Sequence, residues 1–349
     1  VQSRKSHPAL SGDRAAGGRP WTSARRQKAR KAPTPHPTSD PESKPLAPKS
    51  NFESRLFENG NPACPRNLGF SIIRLAFDSA KVQRANLQPL NQSELRNITR
   101  LVEYARKSGL YIILDPHNYG AMWSNDANDF QLIGVSPYIP HSYFADFWRR
   151  LATIYQNYPN VIYGLMNEPN KQTPKQWKAS AVAAIKAIRQ VSTTQTILIP
   201  GSSWTTAATW VTSGNAAAWT GYSDPAGGPF LFEMHQYLDS DYSGTHDTCA
   251  SGYGSDVLTD ATDWLGKNGY QALIGEFGWR SVQGVVSPTC QTEGTALLDA
   301  MNFSRGQWAG WVWCCSGPWA RDNGVNLYNI DLNPPKVAPQ TTTLLNYIP

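Results

Sequence analysis

Val161-Ile162-Tyr163-Gly164-Leu165-Met166-Asn167-Glu168-Pro169 decides how this chain is read. A short apolar run ends abruptly in an amide, a carboxylate and a proline. An apolar run of this length predicts a buried strand. Pro169 has no N–H to give to a ladder, so the strand stops there. Asn167 and Glu168 therefore sit at a strand's C-terminal end, where parallel α/β sheets and barrels place their chemistry. Other strand ends are the place to look for a partner to Glu168.

The same signature recurs on both sides. Ser71-Ile72-Ile73-Arg74-Leu75-Ala76-Phe77 predicts a buried strand with a cation inside it, costly unless a carboxylate faces it. Tyr111–Leu114 runs into Asp115-Pro116-His117-Asn118-Tyr119-Gly120, and Thr196–Ile199 into Pro200-Gly201-Ser202-Ser203-Trp204. Phe230-Leu231-Phe232 leads to Glu233-Met234-His235-Gln236-Tyr237, and Ala272-Leu273-Ile274-Gly275 to Glu276-Phe277-Gly278. Gly310–Trp313 is the last such run. Between them, apolar residues recur at helical spacing: Leu95, Ile98, Val102 and Ala105, then Phe144, Phe147, Trp148 and Leu151, then Trp177, Ala181, Ala184 and Ile188. Asn91 and Thr173-Pro174 are start signals for two of these helices.

Strands alternating with helices imply a parallel sheet. In a doubly wound sheet, function gathers at one switch point. Here nearly every strand ends in polar or aromatic residues, which predicts an α/β protein of the (β/α)8 TIM barrel type with its site on the C-terminal face. Seven strands are visible. The missing one is the first by order and belongs before residue 66, where no convincing run exists.

The net charge of +6 is uneven. Residues 1–50 hold 11 Lys+Arg against 3 Asp+Glu, and the remainder 21 against 23. The basic character thus belongs to the N-terminal segment, and the globular part offers no footprint for nucleic acid. With 8 prolines in those fifty residues, residues 1–55 are expected to form a disordered basic tail or a non-native segment. Residues 56–349 are expected to form the barrel domain. No apolar run reaches membrane-spanning length, so no membrane partner is expected. No signal-peptide core is recognisable at the start.

The 13 Trp and 15 Tyr suit either core packing or a groove that stacks flat ligands such as sugars or bases. Five cysteines show no zinc-like spacing, and no metal is expected. Cys249 and Cys290 lie in loop-like sequence and are candidates for a disulfide in a secreted protein. Adjacent Cys314 and Cys315 are expected to be free buried thiols, because bonding neighbours requires a strained geometry.

Two carboxylates, Glu168 and Glu276, end strands. A pair of carboxylates across a cleft serves glycoside hydrolysis: one protonates the leaving oxygen, the other attacks the anomeric carbon or activates water. Either glutamate alone reads better as a salt-bridged strand end. Arg74, His117, Asn167, His235 and Tyr237, all at strand C-termini, favour the pair. No phosphate loop, dinucleotide fingerprint, zinc-protease helix or nucleophile elbow competes with this reading.

Asn167-Glu168-Pro169, Ile274-Gly275-Glu276-Phe277-Gly278, Asp115-Pro116-His117-Asn118-Tyr119-Gly120 and Glu233-Met234-His235-Gln236-Tyr237-Leu238-Asp239 together resemble glycoside hydrolase family 5, over roughly residues 68–330. The likeness is to its endoglucanases of the fungal and related bacterial type. The resemblance implies a retaining endo-β-1,4-glucanase acting on a β-glucan polysaccharide, without cofactor, secreted and monomeric. Sister activities on mannan or mixed-linkage glucan, or a non-catalytic carbohydrate-binding or defective barrel, are the alternatives. It implies Glu168 as acid/base and Glu276 as nucleophile. Arg74 would keep Glu276 ionised, Tyr237 would hydrogen-bond it, and Asn167 would hold the sugar's 2-hydroxyl. His117 and His235 would position the sugar and the catalytic groups. Trp204 matches a substrate-facing tryptophan; Trp123, Trp210, Trp279 and Trp319 are weaker candidates. Where similar enzymes carry Trp-Trp-Ala-Ala-Gly-Pro-Trp-Trp, this chain has Trp313-Cys314-Cys315-Ser316-Gly317-Pro318-Trp319-Ala320. The platform at that point would therefore fall to Trp313 or be lost.

Overall fold

The computed structural model describes residues 66–315, 324–325, 327–329 and 336–348. Seven parallel strands form one sheet in sequence order: β1 (Ile72–Phe77), β2 (Tyr111–Pro116), β3 (Val161–Gly164), β4 (Ile197–Pro200), β5 (Phe230–Tyr237), β6 (Ala272–Gly278) and β7 (Trp308–Trp313). These are the seven runs read from the sequence. Ile112, Ile113, Leu114, Ile197, Leu198 and Ile199 are wholly buried, because a parallel strand covered on both faces needs apolar side chains on both.

Five long helices cover the sheet: α1 (Gln92–Lys107), α2 (His141–Tyr155), α3 (Pro174–Arg189), α4 (Tyr253–Asn268) and α5 (Pro288–Phe303). Asn91 caps α1 by accepting from the Ser93 amide, and Thr173 and Gln176 form a full capping box on α3. Two indoles fix helices to the strand ends that matter. Trp148 of α2 donates to the carbonyl of Leu165 at 3.1 Å, just beyond β3. Trp177 of α3 donates to that of Pro200 at 2.7 Å, at the end of β4. Each bond satisfies a buried carbonyl where the ladder stops.

The sheet curls until its ends approach: the rings of Phe70, before β1, and Trp311, in β7, meet edge to face at 6.0 Å. No ladder joins β1 to β7 among the described residues. The strand expected before residue 66, and the tail expected over residues 1–55, lie outside the described residues.

Cys249 and Cys290 are bonded, tying the loop after β5 to the first turn of α5. Cys314 and Cys315 are also bonded to each other, which corrects the expectation of free thiols. The peptide between them is cis and brings their Cα atoms to 3.0 Å, the close approach that a cis bond allows.

Candidate active site

Side chains alternate along a strand, so Glu233, His235 and Tyr237 of β5 share the inner face, in order from depth to rim. Arg74 of β1 reaches across to them and is the hub. Its Nε donates to Glu233 at 2.9 Å, one terminal nitrogen meets Glu276 at 2.7 Å and Asp115 at 3.1 Å, and the other donates to Asn167 at 2.9 Å. The carboxylate that the sequence demands for Arg74 is thus threefold. Burial opposes the guanidinium charge, but Asp115, Glu233 and Glu276 outweigh it and raise its pKa further above the ordinary value.

Glu276 ends β6 with Oε1 on Arg74 and Oε2 accepting from the Tyr237 hydroxyl at 3.0 Å. Burial works against its charge, yet His235, Arg74, His117 and the Tyr237 hydrogen bond hold its pKa at about 2. Burial and the carboxylates of Glu276 and Glu168 push the Tyr237 phenol well above its usual 10, so it stays a donor.

Glu168 follows β3 with φ +40°, a left-handed conformation that costs a non-glycine residue about 1–3 kcal/mol. The turn aims its carboxylate at β5, where Oε1 lies 2.8 Å from His235 Nδ1. Burial opposes charge on His235, but Glu276, Glu168 and Glu233 overcome it and push the imidazole up to about 10. Both ring nitrogens then donate. The ring and the two glutamates lie close together at the centre of the site. A carboxylate oxygen of Glu168 and one of Glu276 lie within 4.8 Å of each other. A bound of this size admits the ~5–5.5 Å spacing of retaining glycosidases.

Asn167 gives its carbonyl oxygen to Arg74, which leaves Nδ2 as the end without a hydrogen-bond partner among the described residues. His117 is held by Asp115 at 2.8 Å and stacks edge to face on Tyr119 at 5.4 Å. Beside them opens a cleft of about 930 Å³, lined by Phe77, His117, Tyr119, Phe130, Asn170 and Lys171 among others.

The tryptophans divide. Ser203, Trp204 and Thr205 all have φ between +53° and +56°, a left-handed turn that leaves Trp204 54% exposed. Its amide donates to Pro169 O at 3.1 Å, so the ring is tied to the loop that carries Glu168. Trp313, expected as an alternative platform, is instead drawn into the core. It is 8% exposed, donates to Val325 O, and takes Phe277 and Trp279 edge-on at 5.2 and 4.7 Å. Trp210 and Trp279 are buried as well. Trp123 packs on Phe130 in a hairpin formed by Ala121–Ser124 and Asp129–Leu132. Trp319 lies outside the described residues.

The structure brings Arg74, His117, Asn167, Glu168, His235, Tyr237 and Glu276 together, as the sequence suggests, and adds Asp115 and Glu233. Both additions could have been found. Arg74 required carboxylates, and Glu233 stands two and four residues before His235 and Tyr237 on one strand face.

A curled parallel sheet with two close carboxylates at the ends of non-adjacent strands defines the glycoside hydrolase class of barrel. The chain belongs to glycosyl hydrolase family 5, the cellulase family, whose model matches residues 65–317, and its fold is that family's (β/α)8 barrel. It is 34% identical over 261 residues to endoglucanase gh5-1 of Neurospora crassa, covering 74% of this chain and 62% of that one. It is 34% identical over 269 residues to endo-β-1,4-glucanase A of Emericella nidulans, covering 75% and 76%. The chain thus spans less than two thirds of the Neurospora relative. An endo-β-1,4-glucanase from Xanthomonas axonopodis pv. citri superimposes with a TM-score of 0.75 at 30% identity, over 85% of this chain and 89% of that one. The structure of XacCel5A in complex with cellopentaose gives 0.73 at 34% identity, over 81% and 87%.

Proposed function

We propose that this protein is an endo-β-1,4-glucanase that cleaves internal bonds of cellulose-type glucans with retention of anomeric configuration. The observation that carries the reading is the unequal setting of two close carboxylates. Glu276, held ionised by Arg74 and Tyr237, is the nucleophile. Glu168, on His235, is the acid/base.

In the first step Glu276 Oε2 attacks the anomeric carbon while Glu168 gives a proton to the departing glycosidic oxygen. A glucosyl ester forms on Glu276 and the chain's reducing half leaves as an alcohol. In the second step Glu168, now a carboxylate, takes a proton from water. The water oxygen displaces Glu276 and regenerates both groups. A protonated Glu168 can carry its proton on Oε2 while Oε1 still accepts from His235, so the same hydrogen bond serves both states. The free Nδ2 of Asn167 donates to the 2-hydroxyl, a contact that strengthens in the oxocarbenium-like transition state. Trp204 offers its exposed face to a pyranose.

Hydrolysis of carboxymethylcellulose by Glu276→Ala and Glu168→Gln variants tests this. Parental activity in both would end the assignment. Activity on mannan exceeding that on cellulose would move the substrate to the sister class. Disulfide-bonded Cys249 and Cys290 support secretion into an oxidising medium, and we read the enzyme as an extracellular monomer.

A further inference from the structure

We propose that Glu233 is a positioning residue: buried beneath the reacting pair, it fixes Arg74 and holds the proton on His235. The proposal rests on the roles given above to Glu168 and Glu276, and it concerns a residue that neither the motif pair nor the cleft requires.

Glu233 is wholly buried in the middle of β5. Burying a carboxylate costs several kcal/mol unless cations and donors surround it. Here Oε1 takes Arg74 Nε at 2.9 Å and lies 3.5 Å from His235 Nε2, while Oε2 has no hydrogen-bond partner among the described residues. A half-satisfied buried carboxylate is a poor way to stabilise a barrel. The chain also makes room for it. A Cβ on Gly275, one residue before Glu276, would lie 2.7 Å from Glu233 Cγ and 2.9 Å from Cδ. The glycine of Ile274-Gly275-Glu276 therefore has a specific neighbour, and its absent side chain is what admits Glu233.

The geometry makes a chain of contacts. Glu233 meets one nitrogen of His235, and the other nitrogen meets Glu168 at 2.8 Å and lies 3.8 Å from Glu276. Without Glu233, Arg74 Nε loses its acceptor, and the guanidinium is free to turn away from Glu276 and Asn167. The titratable and charged groups around His235 come from every strand that faces it. Glu168 follows β3, Glu276 stands on β6, Glu233 lies on its own strand, Arg74 on β1, and Asp115 and His117 at the end of β2. Burial opposes ionisation of Glu233, but Arg74 and His235 hold its pKa below the usual carboxylate value.

Glu233→Gln is the test, because an amide oxygen still accepts from Arg74 while the charge is gone. At the pH of the acid limb His235 carries its proton in the parent and in the variant alike, so that limb of kcat/KM reports only the lost Glu233 charge and should stay or move to lower pH. The proposal requires a fall in kcat of tenfold or more, with KM for a soluble cello-oligosaccharide little changed. Imidazole ¹⁵N NMR supplies the direct readout. The parent's His235 should keep both N–H groups up to about pH 9, and in Glu233→Gln it should titrate about two pH units lower. A folded variant with parental kcat, a variant His235 that titrates where the parent's does, or a parental His235 that titrates at the ordinary value near 6.5, overturns the proposal. If the variant does not fold, the parental NMR titration decides alone. That titration reads charge and not hydrolysis, so failure of the glucanase assignment would show separately, as activity surviving in Glu276→Ala.

Discussion

Arg74 and Glu276 form a 2.7 Å ion pair across the interior of the barrel, from the second residue after Ile72 on the first described strand to the end of the sixth. A cation in the middle of an apolar strand is an expense, and this contact is where it is recovered. The pair keeps the attacking carboxylate ionised while Arg74's other nitrogens hold Asn167 and Glu233 in place. Arg74→Met should lower kcat/KM by roughly 10³-fold or more, since the nucleophile loses both charge support and orientation, and should also lower stability, because Asp115 and Glu233 are left buried without their cation. Steady-state kinetics on a soluble cello-oligosaccharide, with circular dichroism to check the fold, would read this. A loss below tenfold would place the nucleophile's support elsewhere.

Glu276→Ala should lower turnover by about 10⁴-fold or more, because no other carboxylate can form the ester. Glu168→Gln should cost about 10²–10⁴-fold on cellulose, and much less on an aryl glycoside whose leaving group needs no proton. Comparing the two substrates separates the roles. Equal losses on both would deny Glu168 the part of acid.

Trp204→Ala should raise KM or lower kcat/KM by about fivefold, the ~1 kcal/mol of one aromatic contact. Thermal stability should barely fall, because the ring is 54% exposed and its turn is left-handed. Trp313→Ala should behave in the opposite way. Its ring is packed and hydrogen-bonded, and its removal should cost about 3–5 kcal/mol of stability. Paired melting curves and kinetics distinguish platform from core.

Stability should be bounded at both ends of the pH scale. His235 has a raised pKa, so its contribution is whole below about 6.5 and is lost as pH rises through about 10. Glu276 has a lowered pKa, so its contribution is whole above 4.5 and is lost as pH falls through about 2. Melting temperature measured from pH 3 to 10 should therefore fall on the alkaline side. His235→Asn should flatten that fall; an unchanged slope would mean that His235 is not charged in the fold.

The Cys249–Cys290 bridge closes a separation of 41 residues, worth about 4 kcal/mol through the unfolded chain. Replacing both cysteines by alanine should lower the melting temperature by roughly 10 °C. With Cys314 and Cys315 also bonded, the denatured, unreduced protein should titrate at most one of its five cysteines as a thiol. Three thiols would leave the adjacent pair open, and five would remove both bonds.

Strands were legible because a parallel strand covered on both faces must be apolar throughout, and each such run stops at a residue that cannot continue it. The site was legible because those stopping residues are polar. Glu233 escaped notice because it sits inside a strand rather than at its end, where a carboxylate usually marks an edge. The hairpin at Ala121–Ser124 and Asp129–Leu132 escaped because its alternation is short and its turn, through Asn128 at φ +49°, carries no glycine. Trp313 and Trp204 look alike in sequence, since both follow apolar runs. Only packing separates a ring held by Phe277 and Trp279 from one left exposed by a left-handed turn.

Trapping the glycosyl-enzyme tests the central claim most directly. Incubation with an activated 2-deoxy-2-fluoro-cellobioside, digestion and mass spectrometry should show the added fluorosugar on the peptide carrying Glu276. A label on any other residue, or none together with inverted anomeric product by NMR, would contradict the account.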